Sequence, residues 1–152
     1  MDQNSQAVEK IRAHHAALLG GLRDRSEALL DAAAMGVPVY ASQTDLLLYL
    51  REEIVPHAAA EEETIYKRGL ALRDLVALLH AMIAEHERLR SLTADLEAAA
   101  APVRAASIGL AITEIFALHA DKENDLLLPR LASEPDVRMH ELLGDMHERL
   151  EG

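Results

Sequence analysis

Two histidine–glutamate pairs carry the clearest chemistry in the sequence. His57 and Glu61 stand four residues apart, and so do His119 and Glu123. On an α-helix, positions i and i+4 lie on one face and their side chains can meet. Each pair therefore presents an imidazole and a carboxylate in the same direction, an arrangement that can hold a metal cation. The alternative for each pair is a solvated helix face on which the two residues meet by chance.

Two single histidines lie on the apolar faces of two other predicted helices. His15 and His86 each fall on a series of apolar residues spaced three and four apart, the pattern of a helix packed in a bundle. The two pairs fall on further series of the same kind. A single histidine in such a series is more often a hydrogen-bonded core residue than a ligand, but the four series together bring six candidates inward. These candidate metal ligands are His15, His57, Glu61, His86, His119 and Glu123.

Six polar side chains that face one interior need a compensating charge. No Lys or Arg stands beside them on the same faces, and an unpaired buried ion costs several kcal/mol. Cations at the centre remove that cost, and mixed imidazole and carboxylate ligands suit iron, manganese or zinc better than calcium or magnesium. We expect Glu61 and Glu123 to bridge two cations, with two histidines bound to each.

The sequence predicts an all-α protein, an up-down-up-down four-helix bundle with a short additional C-terminal helix. Ala, Leu and Glu dominate, and strand formers are scarce. The predicted helices span about 5–34, 42–69, 70–100, 102–129 and 136–150, in a single domain whose bundle covers about 5–131. The sequence from Ser42 to Asp45 resembles a capping box at the start of the second helix. Pro56 is expected to kink that helix just before His57, and Pro129 to end or bend the fourth helix.

The composition excludes several functions. The formal net charge is −11, from 15 Lys and Arg against 26 Asp and Glu, so we expect no binding to nucleic acid or to anionic membranes. There is no cysteine, which excludes disulfides, thiolate metal sites and thiol catalysis. The polar N-terminus lacks the apolar core of a signal peptide, and no apolar run approaches the length that spans a membrane. These features predict a soluble, cytoplasmic protein.

Four further residues near the candidate ligands are assigned other roles. His14 and His80 point away from the apolar faces, although either is a candidate for a fifth histidine ligand. Glu62 is interpreted as surface charge, with a contact to a ligand histidine as the alternative. Tyr66 is expected to pack in the core rather than to bind a cation.

Three longer motifs surround these residues. They are His-x-x-x-Glu-Glu followed by Ile-Tyr at 57–66, Glu-His-Glu-x-Leu at 85–89, and His-x-x-x-Glu followed by Leu-Leu-Pro at 119–129. Together with His15, they resemble the hemerythrin-like, or HHE cation-binding, family. The resemblance implies a four-helix bundle around a non-haem di-iron centre that exchanges oxygen, nitric oxide or peroxide. Met82 and Asn124 stand where true hemerythrins have two further ligands, so the resemblance implies a sparser ligand shell here.

The resulting hypothesis is a protein with two iron ions that binds, senses or reacts with a small diatomic molecule or peroxide. The resemblance implies roles such as oxygen binding and stress response. Whether the protein is an enzyme is left open, because no protein nucleophile or acid–base pair is evident. One alternative is an iron-binding sensor or storage module without turnover, and another is a metal-free helical interaction domain. Manganese or zinc suits the same residues, and no protein partner is indicated.

Overall fold

The structure, a computed structural model, describes residues 2–152, and 87% of the chain is helical. Five helices follow one another, with no strand in the part of the chain that is described. They are α1 (Gln3–Ala34), α2 (40–69), α3 (Val76–Ala98), α4 (Pro102–Ala132) and α5 (Met139–Glu151). The all-α prediction is therefore confirmed, and the packing of these helices is consistent with a helical bundle.

The start of α2 differs from the sequence-based prediction. This helix begins at Tyr40, and no side chain caps its first turn. The hydroxyl of Ser42 instead donates to the carbonyl oxygen of Val39, at 3.1 Å. The capping box predicted at Ser42 is therefore wrong. α3 also starts later than predicted, because a single turn of 3-10 helix, Arg73–Leu75, precedes it.

The C-terminal helix starts at Met139 rather than at position 136. The side chain of Asn4, near the start of α1, holds the chain just before this helix. Its amide nitrogen donates to the carbonyl oxygen of Val137 at 3.0 Å, and its amide oxygen accepts from the N–H of Met139 at 2.9 Å. Residues 135 and 136 form a turn and Arg138 is extended, so the helix cannot begin before Met139. Sequence periodicity does not reveal these long-range bonds.

Three π-helical turns interrupt the two helices that carry the His-x-x-x-Glu pairs. They are Leu50–Ile54 and Glu62–Tyr66 in α2, and Glu123–Leu127 in α4. Pro56 and Pro129 each lie two residues beyond such a turn, within the first residues of the next α-helical segment. Each helix continues past its proline, and α4 ends at Ala132. Short π-helical turns within α-helices are frequent at functional sites.

The helices pack so that the polar residues form a layer between two apolar regions. α1 packs against α2, α4 and α5, whereas α3 packs against α2 and α4. One buried apolar cluster includes Ile11, Ile65, Met82 and Leu127, and it also contains residues of α5. The other buried apolar cluster contains Leu18, Leu22, Ile54, Leu89 and Phe116, among others. Along each of α1 to α4, the predicted ligands stand between a residue of the first cluster and a residue of the second.

α4 is long and apolar enough to cross a membrane by length and composition alone. This corrects the expectation that no apolar segment approaches such a length. Half of its most apolar stretch is buried inside the bundle, however, and the helix carries His119 and Glu123 into the interior. Core helices of soluble proteins have the same character, so this property is weak evidence for a membrane span.

Candidate metal centre

The six residues predicted as ligands converge in the interior. Each is at most 2% exposed. They form two groups whose candidate ligand atoms lie within 4.8 Å of one another, and both groups contain Glu61. One group consists of His15, His57 and Glu61, and the other of Glu61, His86, His119 and Glu123. The helical spacing has therefore brought together all six residues, each of the four long helices supplying at least one.

Each buried carboxylate directs its two oxygens to different histidines. Oε1 of Glu61 lies 2.8 Å from Nε2 of His57 and 3.1 Å from Nε2 of His15. Its Oε2 lies 3.4 Å from Nε2 of His86, in the other group. This carboxylate therefore lies between the two groups.

Glu123 is arranged in the same way from the opposite helix. Its Oε2 lies 3.1 Å from Nε2 of His15, and its Oε1 lies 3.2 Å from Nε2 of His119. With the oxygens of Glu61, this arrangement places a pair of carboxylates between two pairs of imidazoles. Carboxylates in this position can bridge two cations.

Three of the four imidazoles are held from behind by a polar side chain. Nδ1 of His15 donates to Oδ1 of Asn124 at 2.9 Å. Nδ1 of His86 contacts Oε1 of Glu62, and Nδ1 of His119 contacts Oε2 of Glu85, both at 2.8 Å. A donor hydrogen bond at Nδ1 fixes the ring orientation and leaves the Nε2 lone pair directed inward, as metal-binding histidines require.

The two outer carboxylates are themselves paired with cationic side chains. A guanidinium nitrogen of Arg90 lies 3.0 Å from Oε1 of Glu62, and the ammonium of Lys122 contacts Glu85. Of the two interpretations for Glu62, the structure thus favours the contact to a ligand histidine. The role of Glu85, which begins the motif at 85–89, was not identified from the sequence, because its partner His119 lies on the neighbouring helix α4.

His57 differs from the other three histidines. Both of its ring nitrogens, and Oε2 of Glu61, are buried without a hydrogen-bond partner among the described residues. The 2.8 Å approach of His57 Nε2 to Glu61 lacks the geometry of a hydrogen bond. Buried polar atoms without partners are costly. One cation on Nε2 of His57 and a second on Oε2 of Glu61 would satisfy two of these three atoms, so the residues present fit metal ions.

The carboxylates also shift the pKa values of the histidines between them. Burial by itself lowers the pKa of His15, but the hydrogen bond to Glu61 and the charges of both carboxylates outweigh it and raise this pKa to about 9. The pKa of His119 rises to about 9 in the same way, through Glu123. Although burial opposes it, the neighbouring histidines hold the pKa of Glu61 well below its usual range. A proton thus takes the place of a cation when none is bound.

The remaining histidines near the motifs lie outside these two groups. His80 is exposed on α3. His14 is exposed as well, but its ring lies against that of His57, with 5.0 Å between the centroids. Burial against this neighbour and the adjacent imidazoles lower the pKa of His14 to about 4. The structure therefore places neither histidine among the converging ligand atoms.

The sequence predicts only core packing for Tyr66, but its hydroxyl lies among the ligand atoms of the second group. It is fully buried, and its ring stacks on that of His86 with centroids 5.2 Å apart. Its hydroxyl donates to Oε1 of Glu123 and lies 3.0 Å from Nε2 of His119. In a regular α-helix, Tyr66 would be turned about 140° away from Glu61. The π-helical turn Glu62–Tyr66 joins residues five apart and so changes this direction.

A helical fold around a buried cluster of histidines and glutamates defines a cation-binding class of protein. In agreement, the profile of the hemerythrin HHE cation binding domain matches residues 6–131. The chain belongs to this family, and the resemblance inferred from the motifs is confirmed. Comparisons with curated proteins and with solved structures gave no match.

Proposed function

We propose that the protein is a non-haem di-iron protein that binds, senses or reacts with a small molecule such as oxygen, nitric oxide or peroxide. The observation that supports this best is the division of each carboxylate between two groups of histidines. Glu61 and Glu123 each direct one oxygen to His15 and the other to a histidine of the second group. Two cations bridged by two carboxylates account for this division, whereas one cation would leave some of these atoms without a partner.

The six proposed ligands divide between two iron ions. His15 and His57 would bind one ion, His86 and His119 the other, with Glu61 and Glu123 shared between them. Iron bound here would supply redox chemistry and open coordination positions for a small ligand. Manganese or zinc fits the same donors.

The chain itself would control the orientation of the ligands and the access of water. Asn124, Glu62 and Glu85 hold three imidazoles with Nε2 directed inward. The apolar clusters on both sides of the polar layer exclude water from it, which strengthens electrostatic interactions inside.

Several finer properties belong to the same proposal. The short connections at 35–39, 70–75 and 99–101 support an up-down-up-down order of α1 to α4, because short loops join antiparallel neighbours. α5 shares an apolar cluster with these helices, which supports one domain. The net charge of −11 supports a protein that binds neither nucleic acid nor anionic membranes.

Metal analysis after anaerobic loading with ferrous iron tests the proposal. We expect two iron ions per chain in the wild type, and loss of dinuclear binding in the double variant Glu61→Ala/Glu123→Ala. The control is Glu53→Ala/Glu63→Ala, which removes the same charge from exposed positions of α2. Two ions per chain in the first variant would refute the bridging roles. Little iron or manganese in the wild type would favour the metal-free interaction domain.

An iron sensor or store without turnover is the second candidate function. The lack of a partner behind His57 supports it, because a ligand held by fewer contacts releases its cation more easily. The optical spectrum of the iron-loaded protein separates the two candidates. A spectrum that changes with peroxide or nitric oxide supports the first function. A spectrum indifferent to both supports the sensor or store.

A further inference from the structure

The hydroxyl of Tyr66 lies among the inward-facing atoms of the second group. Its oxygen is 3.0 Å from Nε2 of His119 and 3.5 Å from Nε2 of His86, and it contacts Oε1 of Glu123. The two Nε2 atoms are 2.9 Å from each other. Four potential ligand atoms from three helices therefore surround one point.

With neutral imidazoles, hydrogen bonds alone do not account for this convergence. Nδ1 of His86 and Nδ1 of His119 each face a carboxylate oxygen, so their Nε2 atoms carry lone pairs when the rings are neutral. The single hydroxyl proton of Tyr66 is directed to Glu123. With neutral rings, the two Nε2 atoms and the phenol oxygen face one another with lone pairs and no proton to share. A proton on His119 relieves this repulsion in the metal-free protein, and a cation among these atoms would relieve it without that proton.

The position of Tyr66 is fixed by its surroundings. The residue is fully buried, and its ring lies parallel to that of His86, with an angle of 5° between the planes. It ends the π-helical turn Glu62–Tyr66, which directly follows the proposed ligand Glu61. Backbone and packing thus hold the hydroxyl against the proposed ligands, rather than leaving it free to turn away.

We propose that Tyr66 binds, as a phenolate, the cation held by Glu61, His86, His119 and Glu123. This inference rests on the proposed function, since it assigns one more ligand to the same centre. When the cation binds, the O–H bond of Tyr66 breaks, the proton passes to the buffer, and the oxygen lone pair binds the cation. A trivalent cation offsets the cost of a buried phenolate, because a bound cation is the largest local charge in such a site.

The experiment uses the full chain loaded with ferric iron. A phenolate bound to ferric iron gives a charge-transfer band in visible light and ring vibrations enhanced by resonance Raman excitation within that band. The chain has three tyrosines. Tyr40 is 82% exposed, and the hydroxyl of Tyr49 donates to the Leu18 carbonyl oxygen. We expect both signals in the wild type and in Tyr40→Phe/Tyr49→Phe, in which Tyr66 is the only tyrosine. We expect both to be lost in Tyr66→Phe.

The outcomes separate this inference from the function on which it rests. No bound iron in the wild type refutes the iron-based function. Bound iron without the tyrosine signals in the wild type refutes the phenolate and leaves Tyr66 as a hydrogen-bond donor to Glu123. Signals that persist in Tyr66→Phe, or disappear in Tyr40→Phe/Tyr49→Phe, refute the assignment to Tyr66. If Tyr66→Phe fails to retain iron, the variant whose only tyrosine is Tyr66 decides the question.

Discussion

The exposed imidazole of His14 lies against the buried imidazole of His57, with 5.0 Å between the ring centroids and 56° between the ring planes. Nδ1 of His57 has no hydrogen bond, whereas Nδ1 of each of the other three proposed histidine ligands has one. The half of the centre formed by His15, His57 and Glu61 is therefore the half whose ligands are held by fewer outer hydrogen bonds.

This asymmetry predicts that a chelator removes iron from the loaded protein in two phases. The cation bound by His15 and His57 should leave first, because no outer partner orients His57. Replacing His14 with Ala uncovers His57 and should speed the first phase by up to about 10-fold, without changing the second. The rates are followed by absorbance after mixing with excess chelator. His80→Ala, an exposed histidine on α3, is the control. A single phase in the wild type would contradict the asymmetry.

The outer carboxylates should determine how firmly the second half holds its cation. Glu62 and Glu85 fix Nδ1 of His86 and of His119, so Glu62→Gln and Glu85→Gln should each weaken iron binding in this half by about 10- to 100-fold. Competition with a chelator of known affinity measures the change. The control is Glu63→Gln, which neutralises an exposed carboxylate next to Glu62. Equal losses in the control and in Glu62→Gln would show that only overall charge matters.

Much of the fold and of the candidate centre could be predicted because both depend on α-helical periodicity. Glu61 follows His57 by four positions, and a heptad-like apolar series sets which face of each helix turns inward. The same periodicity directed His15 and His86 to the interior. Their convergence could be predicted without knowing the loops. When the four apolar faces pack together, residues at the same height on each helix come close to one another.

What could not be predicted depends on departures from that periodicity or on contacts between distant residues. The π-helical turn before Lys67 alters the direction of Tyr66, and no residue in the sequence marks the turn. Glu85 reaches His119 across 34 positions of chain, and Asn4 reaches Val137 across 133. Such pairs depend on how the helices are rotated against one another, which a single sequence does not specify.

Adjacent glycines in α1 offer a test of the packing between α1 and α2. A Cβ at Gly21 would lie 2.2 Å from the hydroxyl oxygen of Tyr49, whereas a Cβ at Gly20 would meet nothing within 4 Å. The Tyr49 hydroxyl also donates to the Leu18 carbonyl oxygen, at 3.1 Å. Gly21→Ala should therefore lower the free energy of unfolding by about 1–3 kcal/mol. Gly20→Ala should raise it by about 0.5–1 kcal/mol through helix propensity. Urea unfolding measures both, and equal effects would contradict the contact.

The metal-free protein should lose stability as the pH rises above neutrality. The folded-state pKa values of His15 and His119 are about 9, against 6.5 for an unperturbed histidine. Because these pKa values are raised by folding, the stabilisation is complete below about pH 6.5 and is lost as the pH rises through about 9. The expected loss is on the order of a few kcal/mol.

Iron should remove this pH dependence, because a bound cation replaces the protons of His15 and His119. Urea unfolding of metal-free and iron-loaded protein at about pH 6 and about pH 10 compares the two states. The metal-free protein should be the less stable at the higher pH, whereas the loaded protein should not weaken, since fewer protons then compete with the cation. The same loss of stability in both states would show that it arises from groups outside the centre. Unchanged stability of the metal-free protein would show that Glu61 and Glu123 do not hold protons on these imidazoles.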